Sequence, residues 1–151
     1  MTFNIHNLRI GVIGLGYVGL PLAVEFGKKY PTVGFDVKTE RIGELQQGRD
    51  STLEVSAEEL RGAVQLSVTF DPQSLADCNF YIVTVPTPIG ISNQPLLAPL
   101  RTASETVSRV LSKGDVVVYE STVYPGATEE FCVPIIEKGS GLRMNEGFFV
   151  G

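Results

Sequence analysis

The stretch that most constrains the fold of this chain lies near its N-terminus, where two short apolar runs flank a cluster of glycines. Ile10–Ile13 leads directly into the spacing Gly-x-Gly-x-x-Gly, which is formed by Gly14, Gly16 and Gly19. A segment with helical apolar periodicity follows, and the second apolar run ends at Asp36. Strand, glycine turn, helix, strand and acid in this order are typical of a β-α-β unit that binds a dinucleotide.

Each residue type of this motif has a physical task. Gly14 permits a tight turn, Gly16 lets a pyrophosphate approach the backbone because it has no Cβ, and Gly19 lets the helix pack closely on the sheet. The helix N-terminus offers N–H groups and the positive end of a dipole to the phosphates. Asp36 can accept hydrogen bonds from both hydroxyls of the adenine ribose and would repel a 2′-phosphate, so NAD is favoured over NADP. Arg41 can reach the adenine or a phosphate, or it can be an ordinary surface arginine of a helix. The glycines, for their part, can serve only a tight structural turn.

The composition limits the classes to which the protein can belong. Its 151 residues suit one domain, and 43% hydrophobic with 19% charged residues is typical of a globular protein. A net charge of −5 without a basic run argues against a nucleic-acid partner, and no apolar stretch reaches the roughly 18 residues of a membrane span. His6, Cys78 and Cys132 are too few for a Ser-His-Asp site, a disulfide framework or a metal site. We expect reduced thiols and a cytoplasmic protein, since the N-terminus lacks the zones of a signal peptide.

Strand and helix patterns alternate along the whole chain. Apolar runs predict six strands, near 8–13, 32–36, 64–69, 80–85, 115–119 and 147–150. Helices are predicted after the glycine turn and over 38–47, 57–61, 72–77, 99–112 and 127–138, with Asp71 capping the 72–77 helix, Pro134 bending the last helix and Gly139 ending it. Several strand runs lack alternation, which indicates burial on both faces. The predicted fold class is α/β: a Rossmann-like, doubly wound, mainly parallel six-stranded sheet with helices on both faces.

Two further segments follow predicted strands and should lie at the same sheet edge as the glycine turn. Val85-Pro86-Thr87-Pro88 is held extended by its prolines and can pass beside the nicotinamide ribose, unless it is an ordinary proline-rich strand exit. The segment ESTVYPG after the fifth strand presents hydroxyls and a carboxylate beside a helix start. Ser121 and Thr122 can contact a ligand or serve only as turn hydroxyls, and Glu120 can be a general base or a solvated carboxylate.

Together these residues resemble one known family. The segments IGVIGLGYVGLPLAVEFGK, GFDVKTERI, FYIVTVPTPI, SETVSRVLSKGDVVVYESTVYPG and EGFFVG are similar, in this order, to the UDP-glucose/GDP-mannose 6-dehydrogenase family. The branch that they resemble most oxidises UDP-N-acetylhexosamines to uronic acids for capsule, Vi-type and O-antigen polysaccharides. The resemblance covers essentially the whole chain and implies that residues 1–151 are the N-terminal NAD-binding domain of such an enzyme.

The resemblance also implies roles for individual residues. The backbone at Tyr17 and Val18 contacts the pyrophosphate, Arg41 lies on the adenosine side, and Thr87 lies near the nicotinamide half. Thr122 lies beside the nicotinamide and helps to position the catalytic water. The family oxidises the C6 alcohol of a sugar nucleotide to a carboxylate with two NAD, through a cysteine-linked intermediate.

Most catalytic residues of the resembled family have no counterpart in this chain. The glutamate of its Ser-Pro-Glu-Arg motif, the lysine and asparagine of its central helical domain, and the cysteine of its Gly-Gly-x-Cys motif with the aspartate after it are all missing. Cys78 and Cys132 do not match the cysteine motif. The resemblance therefore implies that the central helical and C-terminal UDP-sugar-binding domains are absent, that the chain alone is inactive, and that homodimers form through the absent central domain.

Two other classes of function share some of these sequence features. A stand-alone NAD-binding sensor or interaction module needs the same glycine motif, but it does not need the VPTP and ESTV segments. NAD-dependent sugar epimerases and dehydratases usually need a Tyr-x-x-x-Lys pair for proton transfer. No tyrosine of this chain has a lysine four residues later, which argues against that class.

Overall fold

A computed structural model describes residues 4–121 and 125–151, in which six strands form one parallel sheet in the order β3-β2-β1-β4-β5-β6. The strands are β1 Ile10–Ile13, β2 Thr32–Phe35, β3 Leu66–Thr69, β4 Phe80–Val83, β5 Val116–Tyr119 and β6 Phe149–Val150. All six lie within the ranges predicted from the sequence. The predicted Rossmann-like α/β fold is confirmed.

The strand order reverses direction at β1, which places three strand ends side by side. β1 pairs in parallel with β2 on one side and with β4 on the other, so that Ile13 lies opposite both Phe35 and Val83. The residues that directly follow these strands are Gly14, Asp36 and Thr84. Open α/β sheets bind ligands at such a switch point, outside the carboxyl ends of the strands.

Helices lie on both faces of this sheet. In the described residues they are α1 Gly19–Gly27, α2 Thr39–Gln46, α3 Ala57–Gly62, α4 Ala98–Val110 and α5 Val133–Ser140, with short 3-10 turns at Ile5–Asn7, Pro72–Leu75 and Ile91–Asn93. Asp71 caps the second of these turns by accepting a hydrogen bond from the Gln73 N–H at 3.0 Å, as predicted, although the turn ends at Leu75. Among the described residues, no helix has both the length and the apolar character that a membrane span requires.

The last helix differs from its prediction. A π-helical turn, Thr128–Cys132, precedes α5, and Pro134 lies in the first turn of α5, where a missing N–H is tolerated. The predicted end before Gly139 is wrong. A Cβ at Gly139 would lie 2.1 Å from Ser108 Oγ, so this glycine lets α5 pack against α4 rather than ending it. The helix ends at Gly141, whose φ of 75° favours glycine.

Alternating side chains of the strands divide the core into two layers. One layer packs Ile10 and Val12 against α1 and α2, and the other packs Ile13 and Val83 against α4 and α5. Because both faces of the central strands are buried, β1 and β4 are nearly continuous apolar runs. The two layers hold β1 rigidly, and with it the turn that follows.

Candidate dinucleotide-binding site

The glycine turn closes tightly between β1 and α1. Gly14 has a φ of +103°, a conformation that favours glycine, and its N–H donates to the Phe35 carbonyl oxygen at 2.8 Å. A Cβ at Gly19 would lie 1.7 Å from the Gly14 carbonyl oxygen and 2.4 Å from Thr84 Oγ1. This is the geometry of the tight turn and the close helix packing that the sequence assigned to these two glycines.

Gly16 differs from its neighbours in the motif because it faces open space. Within residues 4–121 and 125–151, and apart from its chain neighbours, no heavy atom lies within 4 Å of the position that a Cβ would take there. Tyr17 and Val18 are 68% and 54% exposed, and no side chain of the described residues caps the N-terminus of α1. A bare helix N-terminus beside a residue without a side chain makes a cradle for a phosphate group. The pyrophosphate of a dinucleotide fits such a cradle.

Asp36 lies directly beside this cradle, at the end of β2. Its Oδ2 accepts a hydrogen bond from the Leu15 N–H at 2.9 Å, and its Oδ1 accepts one from the Lys38 N–H at 3.0 Å. The side chain is only half-buried. A carboxylate that is fixed by two backbone donors and remains open to solvent on one side can still accept hydrogen bonds from a ribose.

Arg41 lies in α2 and reaches back to the glycine turn. Its Nε donates to the Leu15 carbonyl oxygen at 2.7 Å. Its Nη1 donates to Asp50 Oδ1 at 2.7 Å and to Glu44, and its Nη2 makes only a long contact of 3.5 Å with Thr52 Oγ1. The guanidinium is therefore mainly bound within the protein.

Asp50 is the carboxylate partner of this arginine, and its side chain is 1% exposed. Burial opposes its ionisation, but hydrogen bonds from Thr52, from Arg41 and from the backbone of Val55 outweigh that effect, so the pKa of Asp50 lies well below its ordinary value. The carboxylate is thus charged at any pH near neutrality.

Acid should weaken the fold through this group. The folded pKa of Asp50 lies below the unfolded value of about 3.9, so its stabilisation is present above that pH and is lost as the pH falls toward the folded pKa. We expect the free energy of unfolding, measured with urea and circular dichroism, to fall less steeply below about pH 5 in Asp50→Asn than in the wild type. The exposed Glu54→Gln in the same turn should keep the wild-type slope. An unchanged slope in Asp50→Asn would contradict this account.

Thr84 belongs to no sequence motif, yet it joins β4 to the glycine turn. Its Oγ1 donates to the Gly14 carbonyl oxygen, at 2.6 Å, and also lies 3.2 Å from the Ile13 carbonyl oxygen. The residue is 8% exposed. The signal in the sequence was a hydroxyl in the apolar run Phe80–Val85.

The segments after β4 and β5 meet at the same edge. A Cβ at Gly14 would lie 3.0 Å from the Val85 backbone nitrogen, so the chain after β4 runs against the turn. Ser121 Oγ donates to the Val85 carbonyl oxygen at 2.7 Å, which joins the two segments. Pro86 is exposed and Thr87 is half-buried. Thr122, for which a catalytic role was predicted, lies outside the described residues.

The chain beyond this segment forms a small hairpin. The Gly90 N–H donates to the Gln94 carbonyl oxygen and the Leu96 N–H to the Pro88 carbonyl oxygen, both at 2.8 Å. The Leu96 side chain packs beside Gly90, where a Cβ would lie 2.8 Å from a Leu96 methyl group. The hairpin stands at the carboxyl edge of the sheet.

The two cysteines lie away from this edge, in the core. Both are free and buried, and burial raises the pKa of the Cys78 thiol to about 11. A thiol with a raised pKa forms little of the nucleophilic thiolate. The described residues place no three histidine, cysteine, aspartate or glutamate side chains where they could share a metal ion.

The sequence is similar to those of known dehydrogenases. The family described as "UDP-glucose/GDP-mannose dehydrogenase family, NAD binding domain" matches residues 8–150. A UDP-N-acetyl-D-glucosamine 6-dehydrogenase of Pseudomonas aeruginosa is 65% identical over 145 residues, which cover 96% of this chain and 34% of that protein. One of the same name from Salmonella typhi is 58% identical, over 99% of this chain and 35% of that protein. The chain thus spans about a third of the length of these relatives.

Solved structures have the same fold. A GDP-mannose dehydrogenase from Pseudomonas aeruginosa, solved as a ternary complex, superposes with a TM-score of 0.87 at 30% identity, over 95% of this chain and 35% of that chain. A UDP-D-ManNAc dehydrogenase from Pyrococcus horikoshii gives a TM-score of 0.84 at 34% identity, with the same coverage.

Proposed function

Since this chain belongs to the UDP-glucose/GDP-mannose dehydrogenase family, as an NAD-binding domain, we propose that it is the cofactor-binding part of an enzyme that oxidises the C6 alcohol of a UDP-N-acetylhexosamine to the uronic acid. The observation that supports this choice of substrate is the 65% identity with a UDP-N-acetyl-D-glucosamine 6-dehydrogenase. A relative named for UDP-N-acetyl-D-mannosamine is only 35% identical. UDP-N-acetyl-D-glucosamine is therefore the proposed substrate, and UDP-glucose is the alternative.

The stoichiometry of the proposed reaction follows from its chemistry. Conversion of a primary alcohol to a carboxylate removes four electrons. When bound, NAD accepts one hydride, which carries two electrons, from the C6 carbon, so the whole reaction consumes two NAD. A place in surface-polysaccharide biosynthesis is part of the same proposal.

The residues around the glycine turn would hold the adenosine and pyrophosphate halves of NAD. The open cradle at Gly16, with the backbone of Tyr17 and Val18, receives the pyrophosphate. The carboxylate of Asp36 accepts hydrogen bonds from the adenine ribose, and Arg41, which is bound to the Leu15 carbonyl oxygen, lies on the adenosine side. This set of groups gives the cofactor its orientation and favours NAD over NADP.

The segments after β4 and β5 would line the nicotinamide half. Val85, Pro86 and Thr87 follow the strand that pairs with β1, and Ser121 is hydrogen-bonded to the Val85 carbonyl oxygen. In this proposal Thr122 positions the catalytic water. Extended, proline-fixed backbone keeps this wall of the site in place without secondary structure.

The remaining chemistry would lie in parts of the enzyme that this chain does not contain. The chain spans about a third of its relatives, and its buried cysteines offer no nucleophile. Residues 1–151 are therefore proposed to bind NAD but to be inactive alone. Sugar recognition and homodimer formation are assigned to the absent central and C-terminal domains, and the whole enzyme to the cytoplasm.

Calorimetric titration of the 151-residue chain tests the cofactor part of this proposal. We expect saturable binding of NAD and binding of NADP that is weaker by about tenfold or more, because the Asp36 carboxylate repels a 2′-phosphate. NAD and NADP should be titrated into the same preparation at the same ionic strength. Equal binding of both would contradict the role of Asp36, and no binding of NAD would contradict the site itself.

Turnover with UDP-N-acetyl-D-glucosamine and NAD tests the substrate part. The 151-residue chain should form no NADH, whereas the whole protein should form two NADH for each sugar nucleotide consumed. NADH formation by the isolated chain would overturn the assignment of catalysis to absent domains. Failure of the whole protein to turn over this substrate, with turnover of UDP-glucose instead, would overturn the proposed sugar.

A further inference from the structure

The peptide groups around one residue of the glycine turn are held by charges of opposite sign. The Leu15 N–H donates to the Asp36 carboxylate at 2.9 Å, and the Leu15 carbonyl oxygen accepts from the Arg41 guanidinium at 2.7 Å. The Leu15 side chain is fully buried and packs beside Gly34 in β2. Leu15 lies between the first two glycines of the motif, so its orientation determines where the backbone at Gly16 faces.

The arginine that holds this carbonyl is itself held by a residue outside the glycine motif. Arg41 Nη1 donates to Asp50 Oδ1 at 2.7 Å, and the two side chains are 10% and 1% exposed. Glu44 also pairs with Nη1 but is more exposed, at 21%. Asp50 is thus the more deeply buried of the two carboxylates that orient the guanidinium.

Asp50 is rigid because four further donors fix it. Its Oδ1 accepts from the Thr52 N–H at 2.9 Å and from the Thr52 hydroxyl at 2.6 Å. Its Oδ2 accepts from the Glu54 and Val55 N–H groups at 2.9 and 3.1 Å. A carboxylate held in this way from one side presents a fixed negative charge to Arg41 on the other.

We propose that Asp50 is a positioning residue of the NAD site: it fixes Arg41, which orients the Leu15 carbonyl and so the pyrophosphate cradle. This inference rests on the proposed function. The same pairing also sets the charge at the adenosine end. When all are ionised, the three carboxylates of Asp36, Glu44 and Asp50 and the guanidinium of Arg41 carry a net charge of about −2. Arg41 is therefore neutralised and turned toward the glycine turn, so it is not available to a 2′-phosphate.

The proposal differs from a purely structural role in what it predicts for the two cofactors. Asp50 also closes the turn before α3 through its backbone donors, so removing it will lower stability in either case. Loss of stability alone weakens NAD and NADP binding by the same factor. Release of Arg41 weakens NAD binding and, because one negative charge is gone and the guanidinium can turn, improves NADP binding relative to NAD.

The test is a double-mutant cycle on Asp50→Asn and Arg41→Ala in the 151-residue chain, with calorimetric dissociation constants for NAD and NADP. Each variant is measured at a temperature at which circular dichroism shows it folded. Asp50→Asn should weaken NAD binding about tenfold and lower the ratio of the NADP to the NAD dissociation constant by a similar factor. In the Arg41→Ala background, Asp50→Asn should no longer weaken NAD binding. Glu54→Gln removes a carboxylate from the same turn and should leave both constants unchanged.

Two outcomes would overturn the inference alone. One is an Asp50→Asn variant whose NADP/NAD ratio equals that of the wild type, and the other is an equal loss of NAD affinity with and without Arg41. If the wild-type chain binds no NAD, the proposed function fails together with this inference. A wild-type chain that binds NAD normally, with an unchanged ratio in Asp50→Asn, leaves the proposed function standing.

Discussion

Replacing Gly19 with alanine should unfold this chain or leave it marginally stable. The new Cβ would lie 1.7 Å from the Gly14 carbonyl oxygen and 2.4 Å from Thr84 Oγ1. Neither atom can retreat freely, because the Gly14 N–H is bonded to the Phe35 carbonyl oxygen and Thr84 Oγ1 donates to the Gly14 carbonyl oxygen. Relief of the clash requires α1 to move off the sheet. We expect a loss of about 4 kcal/mol or more in the free energy of unfolding, against a total of roughly 5–15 kcal/mol for a domain.

Urea unfolding followed by circular dichroism measures this loss, and Gly43→Ala is the matched control. Gly43 lies inside α2, and no described residue outside its own stretch of helix lies within 4 Å of the position that its Cβ would take. Alanine there should raise the free energy of unfolding by up to about 1 kcal/mol, because glycine is a poor helix former. A Gly19→Ala variant as stable as the wild type would show that α1 does not pack on the turn as described.

The fold was predictable because its signals are local. Ile10–Ile13 and Phe80–Val83 are apolar without alternation, as central strands of a covered parallel sheet must be, and the glycine spacing marks the turn between β1 and α1. The errors arose where a contact with a residue distant in sequence determines the local structure. Gly139 reads as a helix end, but it lies inside α5 because Ser108 of α4 occupies the space of its side chain. No pattern around residue 139 contains that information.

In the candidate site, too, residues of a local motif were predictable and residues with distant partners were not. Gly14, Gly16, Gly19 and Asp36 belong to a spaced motif and were found from it. Thr84 was missed because its partner, Gly14, is 70 residues away, although a hydroxyl in an apolar run is a usable signal. The ion pair of Arg41 with Asp50 was missed because Asp50 lies in a turn without a motif, so the sequence suggested only a ligand contact or a plain surface position for Arg41. The predicted role of Thr122 stays a prediction, since that residue lies outside the described part of the chain.

The second large effect is expected at Gly16, where a substitution should weaken cofactor binding without lowering the stability of the fold. Beyond its two chain neighbours, an alanine at this position meets no atom of the described part of the chain within 4 Å of its Cβ, and Gly16 is not among the glycines with positive φ. The free energy of unfolding should therefore stay within about 0.5 kcal/mol of the wild type. In the proposed site, the methyl group would instead occupy the space through which the pyrophosphate approaches the backbone, and we expect NAD affinity to fall roughly 100-fold, or about 2.7 kcal/mol.

Calorimetric titration with NAD and urea unfolding of the same preparation test both halves of this expectation. Gly43→Ala again serves as control, since it adds one methyl group to a glycine in open space but lies in α2, away from the turn. That variant should bind NAD as the wild type does. A Gly16→Ala variant that is stable and binds NAD with wild-type affinity would mean that the pyrophosphate does not pass over Gly16. A variant that loses both would mean that Gly16 supports the fold. Only loss of binding with retained stability agrees with a cradle whose open space is reserved for the cofactor.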